Sequence, residues 1–330
     1  MSCILVTGGS GFIGGSTVLN LLFRGYTVIV LDNLSNSNFH NLKIVTRQIS
    51  NNIFFYKGNV GNNELLKKIF TNHDIQTVIH MAGLKSVEDS IKNQNLYLNN
   101  NYHQSKSLLD FCIASGVKRF IFSSSATVYG NPKYIPIDEN HERNHLNPYA
   151  LSKILFEDYL EEKSKKTPLK IYVLRYFNPV GSVANGLYGE FLNSRSSNLF
   201  PSLFKAVRSK KTLQIYGDDY DTADGTAVRD FIHISDLVEA HIYCIRNESN
   251  KTYNLFNIGT GVGYSVKNII DKFNFLFNNL VKYSYTKRRD GDISTSIADP
   301  TKANRIIHWK AKKNLDDMVY DAYIFYNKYY

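Results

Sequence analysis

The N-terminal half of the chain alternates short apolar runs with stretches in which apolar residues recur at helical spacing. The β-branched and aromatic runs predict buried strands at residues 3–7, 27–31, 53–56, 77–81, 120–125 and 169–175. The helical spacing predicts helices at about 14–23, 63–72, 96–115 and 149–163. Strands that alternate with helices favour an α/β fold with a Rossmann-type doubly wound parallel sheet and right-handed crossovers.

Beyond residue 177 the pattern changes to longer polar loops that separate shorter elements. It predicts helices near 198–209, 266–277 and 315–326, a strand near 213–216, and a helix that begins near Ser235 with that serine as its cap. His233, with its apolar neighbours, is expected to be structural. We therefore expect two domains: residues 1–177 as the Rossmann domain, and residues 178–330 as a smaller C-terminal α/β substrate domain whose segment near 228–246 could pack back on the first.

A glycine-rich turn joins the first predicted strand to the first helix, with Gly8, Gly11 and Gly14 as its glycines. Such a turn lets the backbone approach a pyrophosphate, whose charge is met by the N-terminus of the helix. The second strand ends at Asp32, 18 residues after Gly14, where an acid can bind both ribose hydroxyls. Because no arginine stands beside Asp32, this pattern favours NAD over NADP.

The strand that begins at Phe120 ends in the serines 123–125, which it delivers to the carboxyl end of the sheet, where ligands bind in such folds. Downstream, Asn147 and Pro148 are typical of a helix start, and Tyr149 and Lys153 then lie four residues apart on one helix face. The same tyrosine–lysine spacing occurs four more times. Only Tyr149 begins a helix directly after the serine-tipped strand, so this pair is the candidate for proton transfer.

Composition excludes several other classes. The net charge of +10 comes from separate basic clusters that are not interleaved with aromatic residues, which speaks against a nucleic-acid partner and for attraction of anionic small molecules. No run approaches membrane-spanning length and the N-terminus lacks a signal pattern, so we expect a soluble, cytoplasmic protein without a membrane partner. Three cysteines without metal-like spacing indicate neither a disulfide framework nor a metal site.

Together these motifs resemble the extended short-chain dehydrogenase/reductase family, and within it the UDP-galactose 4-epimerases. The similar segments cover nearly the whole chain: residues 7–14, 31–34, 82–85, 122–130, 149 with 153, 175–181 and 228–230. The glycine motif is shared across the superfamily, whereas 82–85, 122–130 and 175–181 are much narrower signals. The resemblance implies an isomerase that interconverts UDP-galactose and UDP-glucose through a 4-keto intermediate with tightly bound NAD.

The resemblance also assigns roles to the serine-tipped strand and its neighbours. It implies that Tyr149 is the base, that Lys153 is its electrostatic partner and a ligand of the cofactor ribose, and that Ser125 positions the O4 hydroxyl. A lysine cation and the positive nicotinamide are expected to lower the tyrosine pKa from its usual value of about 10. Related dehydratases and decarboxylases carry acids where this chain has Ala126 and Thr127, so the resemblance points away from those reactions.

Position by position, the resemblance implies two sets of binding residues. The cofactor contacts are Gly8, Gly11, Phe12, Ile13, Gly14, Asp32, Asn33, Asn36, Asn59, Val60, Ala82, Gly83, Lys85, Asn100, Tyr149, Lys153 and Phe177. The substrate contacts are Ser125, Tyr149, Asn178, Asn198, Leu199, Tyr216, Arg229, Arg289, Asp292 and Ser296, the last aspartate belonging to the run 290–292. The two arginines suit a diphosphate.

Three positions depart from the family pattern. Asn59 replaces the usual aspartate at the adenine amino group, although its carbonyl can still accept that hydrogen bond. The run 101–105 is altered, which leaves the helix packing there open. Ser296 stands where members restricted to glucose and galactose carry tyrosine, so we expect UDP-N-acetylglucosamine and UDP-N-acetylgalactosamine to be accepted as well.

Two alternatives stay open. One is an epimerase that acts mainly on N-acetylated UDP-sugars. The other is a non-catalytic NAD-binding regulator, which would typically have lost Tyr149, Lys153 or Ser125, all of which are present. The resemblance further implies a homodimer formed through the helices near 96–115 and 149–163.

Overall fold

A computed structural model describes residues 3–47, 49–192, 198–278, 280–289 and 291–330. The strands are β1 Cys3–Thr7, β2 Thr27–Asp32, β3 Ile53–Lys57, β4 Ile75–His80, β5 Arg119–Ser125, β6 Lys170–Tyr176, β7 Asn178–Val180, β8 Ser182–Val183, β9 Tyr188–Gly189, β10 Leu213–Tyr216, β11 Val228–His233, β12 Tyr253–Ile258, β13 Gly263–Ser265, β14 Tyr283–Thr286 and β15 Thr295–Ser296. The α-helices are α1 Phe12–Phe23, α2 Phe39–Thr46, α3 Asn63–Asn72, α4 Val87–Lys92, α5 Gln94–Leu98, α6 Gln104–Ala114, α7 Pro148–Ser164, α8 Leu199–Ser209, α9 Ile234–Arg246, α10 Val266–Leu276, α11 Thr301–Ile307 and α12 Leu315–Tyr329.

Seven parallel strands form the main sheet, in the order β12-β6-β5-β4-β1-β2-β3. The strand order reverses between β1 and β4, and ligands of open parallel sheets bind in the crevice beyond the carboxyl ends at this point. The predicted doubly wound sheet is confirmed. Its crevice lies where β1 ends at Thr7 and the glycine-rich turn begins.

Alternate side chains of β1 enter the cores on the two faces of this sheet, as the two-residue period of a strand requires. Ile4 and Val6 belong to the core that includes residues of α1 and α9, whereas Leu5 belongs to the core that includes residues of α3, α6 and α7. Strands that are covered on both faces form nearly continuous apolar runs, which is why β1 and β2 were predictable from the sequence pattern.

The last strand of the main sheet, β12, was missed from the sequence. Its apolar residues are interrupted by Asn254 and Asn257, both buried, which hides the strand pattern. The Asn257 side chain accepts a hydrogen bond from the Tyr129 hydroxyl at 2.6 Å and donates to the Ile137 carbonyl at 2.8 Å. The chain thus returns to the first sheet after residue 178, and α9 packs against α1 on the same sheet. The division at 177/178 stays a prediction.

The smaller C-terminal region contains short sheets and a third core. The pair β10 and β14 is parallel, β11 lies between β13 and β15 while also pairing with β7, and β8 with β9 forms an antiparallel hairpin. Aromatic residues of α8, α10 and α12 dominate the core here: Phe204, Phe273 and Phe325. The predicted helices 198–209, 266–277 and 315–326 are confirmed with small changes at their ends.

Two helix predictions are sharpened and one is wrong in detail. Helix α7 begins at Pro148, and the Asn147 side chain caps it by accepting from the Ala150 amide at 2.9 Å. The helix predicted at 96–115 contains a π-helical turn at Asn99–His103, which overlaps the altered run 101–105. Helix α9 begins at Ile234 and is capped by His233, not by Ser235: the histidine Nδ1 accepts from the Ser235 amide at 3.1 Å. His233 is therefore structural in this position.

Candidate active site

A cavity of about 580 Å³ opens beyond the carboxyl ends of the parallel strands, at the reversal of strand order. The predicted cofactor contacts on its wall are Gly8, Gly11, Phe12, Ile13, Gly14, Asp32, Asn33, Asn36, Asn59, Val60, Ala82, Gly83, Lys85, Asn100, Tyr149 and Lys153. Phe177 does not line this cavity; it is buried in a small apolar cluster with Tyr129 and Ala298. The sequence-derived cofactor set is thus brought together around one space, with Phe177 behind its wall.

The glycine-rich turn forms a backbone cradle at one end of the cavity. Gly8 has φ of +68°, a conformation that favours glycine, and its carbonyl accepts from the Gly11 amide at 3.1 Å. A Cβ atom at Gly14 would lie 2.1 Å from the Gly8 carbonyl oxygen, so only glycine fits there. The turn leads into α1, whose N-terminus attracts anions. The residues of this cradle fit the pyrophosphate of a dinucleotide.

Asp32, at the end of β2, is fixed by three donors. Its carboxylate accepts from the Ser10 amide at 3.0 Å, the Leu34 amide at 2.8 Å and the Ser37 hydroxyl at 3.0 Å. These contacts fix the carboxylate on the cavity wall. Oδ1 accepts two of them, whereas Oδ2 accepts one and keeps a lone pair for a further donor. The arrangement leaves an acceptor for a donor such as a ribose hydroxyl, and the role of Asp32 as a cofactor contact stays a prediction.

Asn59 already has a partner within the chain. The Asn33 side-chain amide donates to the Asn59 carbonyl oxygen at 2.7 Å, and both residues line the cavity. The carbonyl that was predicted to accept from an adenine amino group therefore shares its lone pairs with Asn33.

Tyr149 and Lys153 lie one turn apart in the first half of α7, and both face the cavity. The Lys153 ammonium donates to the Ser123 carbonyl at 2.9 Å and lies 5.8 Å from the centre of the Tyr149 ring. The Ser125 side chain is hydrogen bonded to the Tyr149 hydroxyl. Ser125 also accepts from the Thr127 amide and hydroxyl at 3.2 and 3.0 Å. Strand β5 and helix α7 therefore bring the serine, tyrosine and lysine together.

The pKa values of this group differ from the sequence-based expectation. Burial raises the pKa of Tyr149, and only the hydrogen bond from Ser125 opposes that change. Burial lowers the pKa of Lys153 from 10.5 to about 8, with the Glu157 carboxylate acting in the opposite direction. The chain's own groups thus do not lower the tyrosine pKa as expected. Two positive charges were expected to lower this pKa, that of Lys153 and that of the nicotinamide. The nicotinamide belongs to the cofactor and is not supplied by the chain.

Glu157, one turn beyond Lys153, was missed in the sequence. Its side chain is fully buried and accepts from the Ser124 hydroxyl at 2.5 Å and from the Arg175 guanidinium at 3.0 and 2.6 Å. Its spacing from Tyr149 and Lys153, four residues in each step, places all three on the face of α7 toward the sheet. A charged residue on a buried helix face is the signal that could have found it.

A second buried chain of hydrogen bonds starts at Ser123 on the cavity wall. The Ser123 hydroxyl lies 2.6 Å from the Tyr176 hydroxyl, which lies 2.5 Å from Nε2 of His241. Burial lowers the pKa of His241 to about 4, so the ring is neutral near pH 7. Its Nδ1 donates to the Leu237 carbonyl at 2.9 Å, which leaves Nε2 as the acceptor for Tyr176. Neither Tyr176 nor His241 carries a sequence motif that would have revealed this contact.

Most of the predicted substrate contacts lie outside this cavity, in three groups. The Arg229 guanidinium pairs with the Asp292 carboxylate, and Arg229 is in register with Ser296 across β11 and β15. The Arg289 guanidinium lies 3.9 Å from the centre of the Tyr216 ring. Asn178 begins β7, Leu199 begins α8, and the Asn198 amide donates to Glu190 at 3.0 Å. Asp290, of the predicted 290–292 run, lies outside the described residues.

Two features are absent from the described part of the chain. It contains no helix that is both long and apolar enough to cross a membrane. Nor does it contain a group of three or more histidine, cysteine, aspartate or glutamate side chains arranged to hold a metal ion.

Comparison with known proteins agrees with this geometry. The model of the NAD dependent epimerase/dehydratase family matches residues 4–259. The chain belongs to this family. Within it, the UDP-glucose 4-epimerase of Yersinia enterocolitica is 42% identical over 323 residues, covering 97% of this chain and 96% of that relative.

Solved structures of epimerases share the whole fold. The UDP-glucose 4-epimerase of Bifidobacterium longum, in complex with NAD+ and UDP, has a TM-score of 0.95 at 39% identity and covers 99% of both chains. The UDP-glucose 4-epimerase of Stenotrophomonas maltophila, with bound NAD and formylated UDP-arabinopyranose, has a TM-score of 0.95 at 35% identity, covering 99% of this chain and 98% of its own. The similarity to epimerases therefore extends over both the main sheet and the C-terminal region.

Proposed function

We propose that this chain is an NAD-dependent UDP-glucose 4-epimerase, which interconverts UDP-galactose and UDP-glucose through a 4-keto intermediate. The observation that carries the proposal is that Tyr149 and Lys153 line the same cavity as the dinucleotide cradle, with Ser125 beside Tyr149 and behind the cavity wall. The neighbouring Ala126 and Thr127 supply no carboxylate at the positions where the related dehydratases and decarboxylases carry acids.

The chain's residues divide the work of the proposed reaction. NAD, when bound, supplies the group that takes hydride from C4 of the sugar and returns it to the opposite face. Tyr149 takes the proton of the O4 hydroxyl and later gives it back, and Ser125 orients that hydroxyl through the contact it already makes with the tyrosine. Lys153, held by the Ser123 carbonyl, places a positive charge beside Tyr149, and the phenolate forms when the positive nicotinamide of bound NAD adds to that charge.

Binding of the cofactor uses the cradle and the strand ends. Gly8, Gly11 and Gly14 would hold the pyrophosphate, and Asp32 the adenosine ribose, in the positions that the cavity wall gives them. In this proposal the first domain, with β12 and α9 added to residues 1–177, binds NAD, and the C-terminal region binds the UDP-sugar.

The nucleotide half of the substrate is assigned to the C-terminal groups. Arg229 and Arg289 are the proposed diphosphate ligands, since a guanidinium matches phosphate oxygens with paired donors. Arg229 is held by Asp292, and Arg289 by the Tyr216 ring, so both are oriented by the chain itself. Ser296, on the strand beside Arg229, is the proposed wall of the sugar pocket, and its small side chain is the basis for proposing that N-acetylated UDP-sugars are also accepted.

We further propose a cytoplasmic homodimer. A second copy would cover the helices near 96–115 and 149–163, where Leu96 exposes 52% of its area. The proposed compartment is supported by the three cysteines, Cys3, Cys112 and Cys244, all of which are free.

One experiment tests the activity. The purified protein is incubated without added cofactor with UDP-galactose or with UDP-N-acetylgalactosamine, and the products are separated by chromatography. We expect UDP-glucose and UDP-N-acetylglucosamine, with no deuterium from heavy water at C4 because the hydride stays within the site. Retention of NAD without turnover would instead support the non-catalytic regulator.

A matched substitution tests the pocket wall. Ser296→Tyr places a large ring in the proposed sugar pocket, so it should abolish turnover of the N-acetylated pair while leaving the plain pair active. Failure of the unaltered protein to turn over N-acetylated sugars would remove that part of the proposal and leave the UDP-glucose activity standing.

A further inference from the structure

A short segment from the C-terminal half of the chain reaches back to the dinucleotide cradle. Residues 188–192, here called the strap, follow the β8–β9 turn and contribute Tyr188, Glu190, Phe191 and Leu192 to the wall of the 580 Å³ cavity. Neither Tyr188 nor Glu190 belongs to a motif noted in the sequence. Both nevertheless contact residues from other parts of the cavity wall.

Tyr188 attaches the strap to the glycine-rich turn. Its side chain is 1% exposed, and its hydroxyl donates toward the carbonyl oxygens of Ser10 and Gly11, at 2.9 and 3.1 Å. A hydroxyl has one hydrogen, so the bond is shared between the two acceptors. The attachment therefore holds the backbone of the turn, which is the part of the cradle that would face the pyrophosphate.

The slot for this ring depends on a glycine outside the three-glycine motif. A Cβ atom at Gly15 would lie 2.3 Å from both the Cζ and hydroxyl oxygen of Tyr188, far inside van der Waals contact. Gly15 lies in the first turn of α1, where glycine costs about 1 kcal/mol relative to alanine. Alanine at this position would favour the helix but displace the strap.

Glu190 attaches the strap to the other side of the cavity. One of its carboxylate oxygens accepts from the Lys85 ammonium at 2.9 Å and from the Asn198 amide at 3.0 Å. The Glu190 side chain is 13% exposed, compared with 54% for Lys85, so the carboxylate is the more sheltered partner. Lys85 is a predicted cofactor contact and Asn198 a predicted substrate contact. A single carboxylate thus joins the two halves of the site.

The end of the strap is tied to the C-terminal helix. The Leu192 amide donates to the Tyr330 hydroxyl at 3.0 Å, and the Tyr329 hydroxyl donates to the Leu187 carbonyl at 2.8 Å. The strap is therefore held along its length, at the glycine turn, at Lys85 and at the C-terminus.

We infer that Tyr188 and Glu190 are positioning residues that hold the strap across the cavity and so slow the release of a bound pyridine dinucleotide. This inference rests on the proposed function. For a dinucleotide bound between the cradle and the strap, release is faster when the strap moves away, which breaks the Tyr188 or the Glu190 contacts. Losing one such hydrogen bond should speed release about fivefold, the factor that corresponds to about 1 kcal/mol.

The test uses dissociation of a fluorescent dinucleotide. The full-length protein is loaded with NADH, chased with excess NAD, and the loss of bound NADH fluorescence is followed for Tyr188→Phe, Glu190→Gln and the unaltered chain. Tyr220→Phe is the matched control, because that tyrosine is 5% exposed and its hydroxyl has no hydrogen-bond partner within the described ranges. We expect faster release for both strap variants and an unchanged rate for the control.

A second readout separates positioning from folding. The Lys85–Glu190 contact is an ion pair with an exposed lysine, so added salt should speed release from the unaltered chain and have a smaller effect on Glu190→Gln. The thermal midpoints of all variants, measured together, show whether each is folded. Release within twofold of the unaltered rate in both strap variants would overturn the inference alone. Failure of the unaltered protein to bind NAD or NADH would overturn the proposed function with it.

Discussion

Lys153 is required by the proposed chemistry yet is held in surroundings that penalise its charge. Its side chain is 6% exposed, its ammonium lies 4.7 Å from the centre of the Phe122 ring, and its hydrogen-bond acceptor is the neutral Ser123 carbonyl. The charged or titratable groups that interact with it are Tyr149, Glu157 and the buried His80. We predict that replacing it by the apolar, similarly long methionine stabilises the fold while abolishing turnover.

The size of the effect follows from the pKa of Lys153. Burial lowers this pKa from 10.5 to about 8, a difference of about 2.5, and each pKa unit corresponds to roughly 1.4 kcal/mol. The folded state therefore bears a penalty of about 3 kcal/mol wherever both states are protonated. Methionine also leaves the Ser123 carbonyl without its lysine donor, which costs about 1 kcal/mol. The net expected gain for Lys153→Met is about 2 kcal/mol near pH 7.

The pH dependence has a definite sign. Below about pH 8 the amine is protonated in both states and the whole penalty is present. Between about pH 8 and 10.5 the unfolded state binds more protons than the folded one, so stability rises with pH in the unaltered chain. Lys153→Met lacks this rise. The advantage of the variant should therefore shrink as the pH is raised from 7 toward 9.5.

Urea unfolding of nucleotide-free protein near pH 7 and near pH 9.5 measures the stability gain of Lys153→Met and its decrease as the pH is raised. Buried tyrosines whose pKa is raised destabilise both proteins at alkaline pH. The comparison is therefore made on the difference between the two free energies of unfolding. A variant that is less stable than the unaltered chain near pH 7, or a difference that does not narrow by pH 9.5, would show that Lys153 carries no burial penalty.

Three further substitutions probe the same site. Glu157→Gln leaves the Arg175 guanidinium buried without its carboxylate, which should cost about 3–5 kcal/mol in urea unfolding; a cost below 1 kcal/mol would mean that the pair is not essential to the fold. Tyr149→Phe should abolish turnover while NAD still co-elutes with the protein on gel filtration, and near-normal activity would refute its role as base. Asn59→Asp keeps the acceptor for Asn33 and adds a negative charge near the proposed adenine position, so NAD release should slow severalfold; equal or faster release would exclude that contact.

Features that depend on neighbouring residues were readable from the sequence. The glycine-rich turn, Asp32 at the end of β2 and the Asn147 cap of α7 are each specified within a few residues, and the structure places them as expected. The π-helical turn at Asn99–His103 overlaps the run 101–105 that was noted as altered, although its geometry could not be derived from the sequence.

Features that depend on distant partners were not readable. Strand β12 pairs with β6, which lies about eighty residues earlier, and the side chain of its buried Asn257 is satisfied by groups of yet another segment. Glu157 is stable in the core because Arg175 comes from β6. The need for glycine at position 15 is evident only once Tyr188 is placed beside it. In each case the sequence shows one partner and the fold supplies the other.

The late position of β12 has a consequence for how the chain must mature. During synthesis, β6 has been made long before residues 253–258 arrive to pair with it. Until then the edge of a largely apolar sheet presents unpaired backbone groups, which is the geometry that recruits foreign strands. A fragment that ends near residue 177 would keep this edge permanently open. Such a fragment should aggregate. The dinucleotide-binding half therefore completes its fold only after most of the chain has been synthesised, because its last strand comes from the C-terminal part.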